Sequence, residues 1–82
     1  MSRPTIVWAQ VRNYFERRNF IIKSRGGEKI IQAPRQKDSR YTRSQVVIGH
    51  KCCNHPKAVV YDCYLSLIKR AFGVRRQEIL ED

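Results

Sequence analysis

The chain's 82 residues and ordinary globular composition make one small domain, 1–82, with too little interior for a deep pocket around a large cofactor. Seventeen Lys+Arg against seven Asp+Glu leave a net charge of +10 and a pI near 10.2, which points to polyanionic partners, nucleic acid first among them. No apolar run approaches the ~20 residues of a membrane span. With no secretory leader ahead of them, Cys52, Cys53 and Cys63 fit a reducing cytoplasm better than a disulfide framework.

Residues 5–18, "TIVWAQVRNYFERR", predict a helix capped at Thr5. Val7, Val11, Tyr14 and Phe15 recur at helical steps and form one apolar stripe, with Trp8 at its edge. Asn19 is placed to end the helix in a left-handed conformation. The period then changes to two. "FIIKSR" and "EKIIQA" flank Gly26-Gly27, a loop of the length that primed turns favour. That turn sets Arg25 opposite Glu28, Ser24 opposite Lys29, Lys23 opposite Ile30 and Ile22 opposite Ile31. Phe20, Ile22, Ile31 and Ala33 then share the core face, and Ile21, Lys23, Arg25, Glu28, Ile30 and Gln32 share the other. Pro34 closes the second strand because it has no N–H to donate.

Residues 35–43, "RQKDSRYTR", read as a basic loop around Tyr41. Arginines grip phosphates with a planar fork and a tyrosine stacks on unpaired bases, so Arg40, Tyr41 and Arg43 are candidate contacts; the alternative is a solvated loop with Tyr41 packed at its base. A third strand is expected over 44–50, "SQVVIGH". A second helix is expected from Pro56, capped by Asn54 or His55, to about Phe72 and stopped by Gly73. Its apolar side would carry Val59, Val60, Cys63, Leu67 and Ile68. Residues 74–81 add one or two helical turns that lay Ile79 and Leu80 on the body.

The result is an α/β (α+β) two-layer sandwich of order α-β-β-β-α, with an antiparallel three-stranded sheet covered by helices on one face. A helix, a strand, "SRGGEKIIQAP", "VVIGH" and "YLSLIKRAFGV", spread over residues 6–80, resemble the HicA-type (YcfA-like) mRNA interferase toxins. The resemblance implies a double-stranded-RNA-binding-domain-like fold, endoribonuclease activity without the ribosome, and an acidic HicB-like antitoxin as partner. That family carries Gly-Ser-His at the start of the second strand, with the histidine catalytic. Gly26, Gly27 and Glu28 hold those positions here, so a glutamate replaces the catalytic histidine. His50 matches the family's strand-ending histidine.

The candidate catalytic residues are therefore Glu28 and His50, acting by proton transfer without a metal or other cofactor. Glu28 is a weak general base toward a ribose 2′-hydroxyl; the alternative is a cross-strand pair with Arg25 worth about 0.2–1 kcal/mol. His50 has the side chain best tuned to proton transfer near neutral pH, but its parity with Val46 and Ile48 also suits a half-buried packing role. "HKCCNH" holds metal-ligand types, but adjacent cysteines and the missing second CxxC argue against zinc, and Cys63 reads as a small buried hydrophobe. The expected RNA contacts are Lys23, Arg25, Lys29, Arg40, Tyr41 and Arg43, reading RNA by shape and backbone. The alternative is a non-catalytic module of the same fold that binds nucleic acid, DNA included, or an acidic protein.

Overall fold

A computed structural model describes residues 4–34 and 45–82. Helix α1 spans Trp8–Arg17, strands β1 and β2 span Ile21–Arg25 and Glu28–Gln32, and β3 spans Gln45–Ile48. A 3-10 turn, His50–Cys52, precedes helices α2, Asp62–Phe72, and α3, Arg76–Glu81. The fold is mixed α+β, and its sheet is antiparallel with order β1-β2-β3.

The hairpin takes the register its turn dictates, from Arg25 opposite Glu28 to Ile22 opposite Ile31. Gly26 and Gly27 have φ of 53° and 91°, the positive values that both central residues of a type I′ turn require. β3 continues the pattern, with Val46 opposite Ile31 and Val47 opposite Ile30. Phe20, Ile22, Ile31, Ala33, Val46 and Ile48 join one apolar cluster with the helices' buried residues. Both long helices therefore cover the same face. Ile21, Lys23 and Arg25 stay exposed on the other. Ile30 is the exception there: it is buried on the central strand, flanked across the strands by Lys23 and Val47.

The start of α1 differs from expectation. Thr5 does not cap it; Val7 holds the N-cap position and its N–H donates to Gln10 Oε1 at 2.9 Å. The next two orphan donors go to a distant segment. The Trp8 N–H reaches Ala58 O at 2.8 Å and the Ala9 N–H reaches Pro56 O at 2.9 Å. Val7 and Val59 form an antiparallel bridge, and the Val60 N–H donates to Ile6 O at 2.9 Å. This second layer of chain encloses Trp8, which is 2% exposed rather than at the edge of the stripe.

The same contacts correct the second helix. Residues 56–60 are spent on α1, and the β-branched pair Val59-Val60 runs extended, so α2 begins at Asp62 rather than Pro56. Its buried positions are Leu65, Ile68, Ala71 and Phe72, which leaves Cys63 exposed and not in the core. Gly73 ends α2 with φ 72°, and Asn19 follows α1 with φ 65°, both as the sequence predicts. Native protein should accordingly take up one equivalent of a thiol reagent such as iodoacetamide, at Cys63, while buried Cys52 and Cys53 react only after unfolding; peptide mass mapping reads this directly.

Helix α3 buries Ile79 and half-buries Leu80. Asp82, just beyond it, accepts from Arg17 at 3.0 Å and Arg18 at 3.1 Å. Arg18 also lies over the Tyr14 ring, 3.6 Å from its centroid. The C-terminal end of α1 is thus fastened to α3. No helix among the described residues is long and apolar enough to cross a membrane.

Candidate nucleic-acid interface

The outer face of the hairpin presents Lys23 and Arg25 to solvent on β1, an edge strand. Pairing parity puts Lys29 on the opposite face, with its ammonium donating to Ser24 Oγ. Only two of the three expected hairpin cations therefore share a surface. Glu28 is half-buried at the start of β2, opposite Arg25, yet the two side chains form no ion pair. The cross-strand salt bridge that the register invites is absent. Arg40, Tyr41 and Arg43 lie outside the described residues.

His50 does not sit half-buried at a strand end. β3 stops at Ile48, and Gly49 passes the chain into the 3-10 turn, which swings the imidazole out against the hairpin tip. His50 is exposed, and its Nδ1 lies 3.2 Å from Gly27 O. A carbonyl only accepts, so this hydrogen bond requires the proton on Nδ1 and leaves Nε2 as the free lone pair in the neutral ring. His55 is bound the other way, its Nδ1 accepting from the Lys57 N–H at 3.0 Å.

Beneath His50 lies Cys53, whose Sγ is 3.3 Å from Gly49 O and 3.5 Å from both Gly27 O and Ile48 O. The thiol links the hairpin turn to the turn after β3. Burial pushes its pKa up from the ordinary 9.0, while the hydrogen bond from the Lys29 backbone and the Lys29 charge pull it back down. With the folded value above the unfolded one, the thiol's contribution to stability is complete below pH 9.0 and is lost as pH rises through the folded value. The urea midpoint should therefore decline on titration above about pH 9, and Cys53→Ala should flatten that decline.

Gly27 is the pivot of the cluster. A Cβ there would lie 2.8 Å from His50 Nδ1, and its φ of 91° is strained for any side chain. Gly26, at φ 53°, has nothing within 4 Å of such a Cβ. Gly26→Ala should cost about 1–2 kcal/mol. Gly27→Ala should cost more, about 2–3 kcal/mol, and adding His50→Ala should recover part of the difference in urea unfolding.

The sequence names His50 and Glu28 as candidates but does not reveal the contact that holds His50, because Gly27 meets His50 and Cys53 across 23 and 26 residues of chain. Lys51, on the 3-10 turn, and Lys57, five residues beyond it, add two exposed cations that the sequence reading does not single out. Among the described residues no three His, Cys, Asp or Glu side chains gather into a possible metal-ligand set.

No family model matches this chain, and no curated protein or solved structure is significantly similar to it.

The charge is divided unevenly over the fold. Among the described acids, only Glu28 lies outside the helices and their caps. On the helical layer Glu16 pairs with Arg12, Asp62 with Arg76, and Asp82 with Arg17 and Arg18. Lys23, Arg25, Lys29, Lys51 and Lys57 have no ion-pair partner among the described residues. Five carboxylates thus offset seven cations on the helices and their caps, where Lys69, Arg70 and Arg75 are unpaired among the described residues, and Glu28 alone accompanies the five cations of the hairpin and the 50–57 segment.

Proposed function

We propose that this protein is a small RNA-binding protein of the HicA-like kind, gripping the phosphate backbone with the outer sheet face and the hairpin end. The observation that carries this reading is the uneven division of acids: among the described residues five of six carboxylates lie on the helices or their caps, beside seven cations, and only Glu28 lies among Lys23, Arg25, Lys29, Lys51 and Lys57 in the hairpin and the 50–57 segment. Lys23 and Arg25 are exposed on β1 and Lys51 on the 3-10 turn, and in the sequence between them residues 35–43 carry Arg35, Lys37, Arg40 and Arg43. The element order, and a sheet face that no helix among the described residues covers, support the double-stranded-RNA-binding-domain-like sandwich that the resemblance implies. Such a surface recognises a backbone by charge and shape. Titrating the protein with a labelled RNA duplex at several salt concentrations tests it. A steep loss of affinity with salt, and weaker competition by duplex DNA, is the expected result; salt-independent binding or none refutes the reading.

A second, catalytic reading rests on His50. Held through Nδ1, its ring offers Nε2 to solvent at the hairpin end, next to the phosphate site. There Nε2 takes the proton of a ribose 2′-hydroxyl, the 2′-oxygen attacks the adjacent phosphorus, and the bond to the 5′-oxygen breaks. The products are a 2′,3′-cyclic phosphate and a 5′-hydroxyl, which takes its proton from water. The imidazole suits this step better than the Glu28 carboxylate, whose negative charge also repels the substrate phosphate. Cleavage of a labelled mRNA that persists in EDTA, leaves 5′-hydroxyl ends and vanishes in His50→Ala supports an endoribonuclease and an active toxin. Binding with no cleavage leaves a non-catalytic module of the same fold.

A further inference from the structure

Two hollows meet on the helical layer, and no residue of the sheet lines either. The larger, about 560 Å³, lies between α2 and α3 and has Pro4, Leu65 and Leu80 in its wall. The smaller, about 440 Å³, shares Pro4, Asp62 and Arg76 with it and reaches Val59 and Tyr61. We propose that this continuous groove docks an acidic peptide segment bearing apolar side chains, on a partner protein.

Chemistry favours that occupant over others. Val59 and Tyr61 are 46% and 51% exposed, and they account for two of the three large hydrophobic side chains so exposed among the described residues. Apolar surface gathered at a concave site is the mark of a protein-binding groove, and a ribose–phosphate backbone has nothing to bury against Leu65 and Leu80. The larger hollow falls within the ~300–1,000 Å³ of sites that hold compact apolar groups. Its rim is cationic. Lys69 and Arg75 line it without ion-pair partners among the described residues, and Arg76 holds Asp62, the one carboxylate in its lining. A peptide alternating acidic and aliphatic residues satisfies both halves of the groove. The hairpin end stays open, so RNA and the peptide bind together.

The test titrates the ¹⁵N-labelled full chain with a synthetic peptide of alternating Glu-Glu and Leu-Leu pairs. An equally charged peptide with Gly-Ser in place of Leu-Leu serves as control. Amide shifts confined to residues 5, 59–69 and 75–80, saturable with the leucine peptide alone, are the expected result. The double variant Lys69→Glu/Arg75→Glu weakens binding about tenfold. Ser66→Trp, which plants an indole in the groove from an exposed helical position, abolishes it while leaving duplex-RNA affinity unchanged. Equal binding of the control peptide, shifts centred on the hairpin, or groove shifts caused by duplex RNA would each overturn the proposal. The RNA titration is read separately, so failure of the groove leaves the hairpin interface standing.

Discussion

Reversing two charges on the outer sheet face, in the double variant Lys23→Glu/Arg25→Glu, should weaken binding to duplex RNA about a hundredfold at low salt. Both side chains are exposed on β1 and neither has a carboxylate partner among the described residues, so their loss breaks no ion pair among those residues. Each phosphate contact removed lowers the slope of log affinity against log salt by about one, so the slope should shrink by about two. Lys29→Gln should change affinity far less, because that ammonium sits on the other face against Ser24. The comparison separates a located site from diffuse attraction by net charge. If Lys23, Arg25 and Lys29 contribute equally, binding follows the overall field and the interface is misplaced.

Phe15→Ala should cost about 3–5 kcal/mol, a large share of the ~5–15 kcal/mol that holds a domain together. Phe15 has no exposed surface, and its ring packs edge-on against Tyr14 at 5.2 Å and Phe72 at 5.5 Å and tilted against Phe20 at 4.8 Å. Phe20 and Phe72 also meet edge-on at 5.0 Å. One ring thus joins α1, the start of the hairpin and the end of α2, and little else in a core this small can move in to fill its place. Urea unfolding followed by Trp8 fluorescence reports the loss, since the indole is buried in the same cluster. A cost under about 1 kcal/mol would mean that this core is far more compliant than its packing implies.

Much of the fold was legible because local chemistry decided it. The Gly26-Gly27 pair sets its own turn and, through it, the hairpin register; Asn19 and Gly73 stop two helices by themselves. Where local signals met a distant competitor, the competitor won. Pro56 is a good first helical residue, but its carbonyl is taken by the Ala9 N–H, and that commitment holds 56–60 out of α2. Trp8 and Cys63 lie elsewhere than the helical periodicity predicts for the same reason: both depend on where the 56–60 segment runs. The site divides similarly. Lys23, Arg25 and Glu28 follow from alternation along a strand. His50 was found by residue type, but its outward Nε2 depends on Gly27, and no pattern along the chain reveals that contact.

Helix α1 is completed by parts of the chain made long after it: its first donors wait for the carbonyls of Pro56 and Ala58, and its last turn waits for the carboxylate of Asp82. During synthesis the first turn of α1 therefore stays open until residues 56–58 have left the ribosomal tunnel, and its last turn gains the Asp82 contact later still. Prematurely terminated products would carry an unsealed helix and an uncovered sheet, ready substrates for cellular proteases.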